Sequence, residues 1–95
     1  MSIASPKAPF TEKQGQYLAF IHAYVLLNGR PPAEADMEKH FGVTPPSVHR
    51  MVVELERRGL IERVPGQARS ITLTVPANQL PQLRPRSIKI SVVRY

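Results

Sequence analysis

The chain of 95 residues is long enough for one compact core and too short for two ordinary domains. Its 42% hydrophobic and 21% charged residues suit a globular protein, while the lack of cysteine excludes disulfides, thiolate nucleophiles and cysteine-based zinc sites. No apolar run reaches the length of a membrane span or a secretory signal, which predicts a cytoplasmic protein.

The charge is unevenly placed. Residues 1–42 hold four bases and four acids, whereas residues 43–95 hold nine bases and three acids, so the whole +6 lies in the second half. A field of that sign attracts a polyanion, with nucleic acid ahead of anionic membrane.

Residues 1–10 lack periodicity and read as a flexible arm. Thr11 and Gln14 then fit a capping box, which opens a first helix that runs to Asn28. Its core face takes Leu27, Phe20, Tyr24, Tyr17, Ile21, Val25 and Leu18, over roughly half the circumference. Gly29, Pro31 and Pro32 stop it. A second helix is expected over 33–41, with Met37 and Phe41 inward and Gly42 as its end. Thr44 as N-cap and Pro45 at the first position open a third helix to Arg58, with Val48, Met51, Val52 and Leu55 inward and Gly59 closing it. Residues 60–64 and 70–75 read as two strands of a hairpin, with Ile71, Leu73 and Val75 sharing a face. Residues 76–86 read as a proline-rich linker, and 87–95 (SIKISVVRY) as a final strand.

The expected architecture is therefore α+β: a winged helix-turn-helix of three helices and a two-stranded β-hairpin wing at 11–75, plus a C-terminal tail strand. In that fold the third helix enters the major groove of double-stranded DNA, which makes DNA the expected partner. With its core stripe inward, Pro46, Ser47, His49, Arg50 and Val53 face outward, and Thr44 stands at the helix entrance. Arg50 suits guanine O6 and N7, Ser47 and His49 suit base edges or phosphates, and Val53 suits a thymine methyl. Gln67 and Arg69 flank the wing tip, where a cation reaches a phosphate or the minor groove, and Arg57 and Arg63 are candidate backbone contacts. The plainer readings are a solvated face for His49 and Arg50, a strand start for Arg69, and a helix-dipole role for Arg57 and Arg58.

Other chemistries find no footing. His22, His40 and His49 lack paired ligand spacing, so no metal or cofactor is expected. Neither a Gly-rich phosphate loop, G-x-S-x-G nor H-E-x-x-H occurs, and Glu34, Asp36 and Glu38 suit a solvated helix face, so no catalysis and no small-molecule ligand are expected. Tyr17, Phe20 and Tyr24 belong to a core stripe rather than a base-stacking platform. Two further readings stay open: a protein-interaction module that uses the wing or the 87–95 strand, and an RNA-binding domain.

FTEKQGQYLAFI, NGRPPAEADMEKHFG, SVHRMVVELERRGLIERV and PGQARSITL, spread over about residues 10–75, resemble the N-terminal DNA-binding domain of the LexA repressor family. The resemblance implies a winged helix that represses transcription. Ala33 stands where the family usually has Thr, and the stretch between Gly42 and SVHR is one residue shorter. The 95 residues leave no room for the family's serine–lysine peptidase domain, so self-cleavage is not implied. A single wing domain offers little contact area, so a homodimer on a two-fold-related site is expected, with the 87–95 strand as its contact.

Overall fold

A computed structural model describes residues 9–85. In chain order it contains α1 (Glu12–Asn28), α2 (Glu34–Phe41), α3 (Pro45–Arg57), β1 (Ile61–Glu62) and β2 (Thr72–Leu73), with a 3-10 turn at Ala77–Gln79. The strand expected at 87–95 and the first eight residues of the arm lie outside the described residues.

α1 begins where its cap dictates. Thr11 Oγ1 accepts from the Gln14 N–H at 3.1 Å, and Gln14 Oε1 accepts from the Thr11 N–H at 2.9 Å. Two donors that the first turn would leave orphaned are thereby satisfied. Thr11→Ala should cost about 1 kcal/mol, read as a lower denaturation midpoint at constant m-value. An unchanged midpoint would mean that the cap contributes nothing. At the other end, Gly29 takes φ +73 and returns its N–H to the Val25 carbonyl at 2.8 Å.

α2 keeps half of this device. Ala33 stands at the N-cap and has no side-chain acceptor, but Asp36 Oδ2 still accepts from the Ala33 N–H at 2.8 Å. The helix closes at Gly42, where the N–H groups of Gly42 and Val43 both fold back onto the Glu38 carbonyl, at 2.8 and 3.2 Å. This closure leads through Val43 and Thr44 directly into α3, and Val43 packs against the core.

The core joins Tyr17, Leu18 and Ile21 of α1, Met37 of α2, and Val48, Val52 and Leu55 of α3 with Leu60, Ile61 and Ile71 of the hairpin. α2 packs on α3, β2 on α1 and β1 on α3. Tyr17 stacks on Phe41 with ring centres 4.1 Å apart, which ties the middle of α1 to the end of α2.

Three expectations about packing are corrected. Val25 and Leu27, placed on the core face of α1, are 38% and 83% exposed, because the core takes its α1 side chains from Tyr17 to Tyr24 and nothing from the last turn. In contrast, every residue from Gln14 to Ile21 is buried, the polar ones included. The cover comes from residues 80–84, which lie along α1 and do not form the expected linker. Gln16 Nε2 donates to the Gln82 carbonyl at 3.0 Å, its Oε1 accepts from the Arg84 N–H at 2.8 Å, and Arg84 pairs with Glu12 at 2.6 Å. Gly15 permits this approach, since a Cβ there would lie 3.0 Å from both Phe10 and Pro81.

The hairpin is also shorter than expected. Only Ile61 with Leu73 and Glu62 with Thr72 pair, antiparallel, although Ile71 is buried and Thr72 exposed as the alternation requires. Beyond them the Ser70 hydroxyl replaces the ladder: Oγ accepts from the Val64 N–H at 2.9 Å and donates to the Gln67 carbonyl at 2.9 Å. Pro65 has no N–H to offer, and the chain turns instead of extending.

Candidate nucleic-acid interface

The outward surface of α3 is built by elimination. Val48, Val52 and Leu55 are fully buried, which leaves Pro46, His49, Arg50 and Val53 exposed and Ser47 half-buried along the opposite side. Pro45 and Pro46 fix the start of the helix but carry no N–H, so Ser47 is the first helical residue with a backbone donor for an incoming anion.

Thr44 occupies the N-cap position but makes no backbone cap. Its hydroxyl donates instead to the Ser47 side chain, at 3.1 Å from Oγ. The two hydroxyls therefore act as one polar unit at the entrance of α3. His49 Nδ1 lies 3.3 Å from a Glu34 carboxylate oxygen of α2, so one ring nitrogen faces α2 and the other is left for solvent or a ligand. Arg50 makes no hydrogen bond or ion pair among the described residues. It shares a shallow groove with Lys13, Gln14, Ser47 and Glu54, which extends the surface of α3 onto the first turn of α1. Lys13 was not singled out in the sequence, where it reads as an ordinary charge in a capped first turn.

The other cations expected at DNA are held by partners. Arg57 grips Glu54 with two bonds, at 3.0 and 2.7 Å, and Arg58 binds the same carboxylate at 2.9 Å. Arg63 donates to Glu56 at 3.0 Å. Arg69, expected at the wing tip, turns inward: Nη1 donates to Tyr24 Oη at 3.1 Å and to the Pro31 carbonyl at 3.2 Å, and lies 3.1 Å from Asp36 Oδ2. Residues 64–68 are exposed at the tip, and Gln67 carries the polar side chain among them. Among the described residues, the basic half of the chain thus presents less free charge than its composition suggests.

These pairs move titrations. Hydrogen bonds from Arg57, then Arg58, pull the Glu54 carboxyl from its ordinary 4.5 to about 2. The Ala33 N–H, helped by Arg69, lowers Asp36 from its ordinary 3.8. Groups depressed in the folded state add stability that is complete above their ordinary values and disappears as pH falls through the folded ones. The Tm should therefore decline between pH 5 and 2, and Asp36→Asn should flatten that decline. An equally steep decline in the variant would exclude Asp36 as a contributor.

Three helices in this order, a three-residue turn before an outward-facing α3 and a hairpin directly after it define a winged helix-turn-helix domain. The chain belongs to the LexA DNA binding domain family, whose model matches residues 7–70. It is 46% identical over 63 residues to the LexA repressor of Thermosipho melanesiensis, covering 66% of this chain and 32% of that protein. It is 38% identical over 82 residues to the LexA repressor of Thermosipho africanus, covering 86% and 37%. The chain spans about a third of the length of these curated relatives. Among the described residues no helix is long and apolar enough to cross a membrane.

Proposed function

We propose that the chain reads double-stranded DNA with α3 in the major groove and the wing beside the backbone, and that it acts as a cytoplasmic transcriptional repressor by binding rather than by catalysis. The observation that carries this is Arg50: a guanidinium unpaired among the described residues, on the outward side of a helix anchored to the body by Val48, Val52 and Leu55. Its fork matches the two acceptors of guanine. Thr44, Pro46, Ser47, His49 and Val53 line the same surface, and Lys13 adds a phosphate contact from α1. Gln67 leads at the wing, while Arg57 and Arg63 have weaker claims because each already holds a carboxylate. Repression is supported by the names of the two Thermosipho relatives.

A homodimer on two-fold-related half-sites is part of the proposal, because one wing domain covers few base pairs. Selection from random duplexes at about 50 mM salt tests both points, since specific complexes form well above the strength of phosphate contacts alone. An enriched inverted repeat bound by two chains is the expected result. Failure to enrich any sequence would sink the reading, and an asymmetric site bound by one chain would remove the dimer.

A further inference from the structure

The base of the wing is seated in the core through Leu60, Ile61 and Ile71. Its ladder stops after two residue pairs, so strand pairing alone does not fix the orientation of the loop beyond them. Arg69 supplies what the ladder lacks. Its backbone stands at φ +55, a left-handed conformation unusual for a residue with a Cβ, which turns the side chain away from the tip. One guanidinium then meets three parts of the body: Tyr24 of α1, the Pro31 carbonyl between helices, and Asp36 of α2. Its central carbon also lies 5.9 Å from the centre of the Tyr24 ring.

We propose that Arg69 is a positioning residue for DNA binding: with Tyr24 and Asp36 it sets the angle of the wing against the α2–α3 unit, and the duplex meets Gln67 and the backbone around it instead. This rests on the DNA-binding reading above. The partners cannot follow Arg69 outward. Asp36 is held by the Ala33 N–H at 2.8 Å, and the Tyr24 ring packs on Phe20 with centres 5.8 Å apart. A phosphate that drew the guanidinium out would break these contacts and leave the Asp36 carboxylate facing a polyanion without its cation.

Contact and positioning give opposite signs for one variant. If Arg69 bound phosphate, Asp36→Asn would release it and raise affinity. If Arg69 positions the wing, Asp36→Asn lowers affinity, although Asn keeps an oxygen for the Ala33 N–H. Tyr24→Phe is the second variant, because it removes only a hydroxyl. The experiment is fluorescence anisotropy with the selected duplex at several salt concentrations, on variants that thermal melting shows to be folded. Tyr24→Phe, Asp36→Asn and Arg69→Ala should each weaken binding by about threefold to tenfold. The slope of log affinity against log salt should stay at the wild-type value, and the Asp36→Asn/Arg69→Ala double variant should be no weaker than Arg69→Ala.

Unchanged or higher affinity in Asp36→Asn and Tyr24→Phe, or a slope reduced by about 0.9 in Arg69→Ala, would overturn the proposal. Arg50→Ala is titrated alongside. If it weakens binding while the Tyr24 and Asp36 variants do not, only this inference fails; if the wild type binds no duplex, both readings fail.

Discussion

Arg50→Ala is expected to weaken binding to the selected duplex by about 1–3 kcal/mol, roughly tenfold to a hundredfold, and to relax the preference at one base pair. The expectation follows from three conditions met together. Arg50 lies in the first half of α3, it is exposed, and among the described residues it has no partner to leave when a guanine replaces water. Arg57, the last residue of the same helix, is exposed but fails the first condition and the third, because its guanidinium already grips Glu54. Arg57→Ala should therefore change affinity by no more than about twofold, the scale of an exposed ion pair. The informative measurement is the pair of variants against duplexes that differ at single positions. Equal effects of the two, or an Arg50→Ala variant with wild-type affinity and preference, would remove base reading from α3.

Leu55→Ala is expected to cost about 2–5 kcal/mol of stability. Leu55 is 0% exposed, and the Leu60 N–H folds back onto its carbonyl at 2.9 Å, so its side chain anchors α3 at the point where the chain turns into the hairpin. Truncation would leave a cavity bounded by helix and strand residues that cannot all relax inward. For a domain of this size the loss corresponds to a fall in Tm on the order of 10–30 °C. Calorimetry measures it directly. A fall of less than about 5 °C would mean that α3 is not seated as described. Well below the lowered Tm the variant should still bind duplex, because Leu55 faces away from the reading surface.

What was legible in the sequence was local. Thr11 and Gln14 are three residues apart, and each needs only the other to open α1. Gly29, Gly42 and Gly59 all take the left-handed conformation that ends a helix. The stripe Val48, Val52 and Leu55 fixes which side of α3 turns inward, and therefore which residues remain for DNA. What was not legible depended on partners far along the chain. Periodicity ranked Leu27 with Phe20 and Tyr24, but it cannot tell where along the helix the core stops. Nothing near Gln16 in the sequence signals its burial, because its partners, Gln82 and Arg84, lie 66 and 68 residues away. Arg69 is the clearest case. A cation beside a Gly-containing turn reads as a phosphate contact, and only the fold brings Tyr24, 45 residues distant, to its guanidinium. Charge counting has the same blindness, because it cannot see which cations a carboxylate already holds.

The Glu12–Arg84 pair brings together two points 72 residues apart in sequence, so the described chain leaves the body almost where it entered. In topological terms the domain is nearly a closed loop. A short peptide joining the segment before α1 to the segment after Arg84 would make a ring without bending either helix of the helix-turn-helix. Its stabilising effect would arise in the unfolded ensemble, whose freedom the closure restricts, while α3 and the wing stayed as they are.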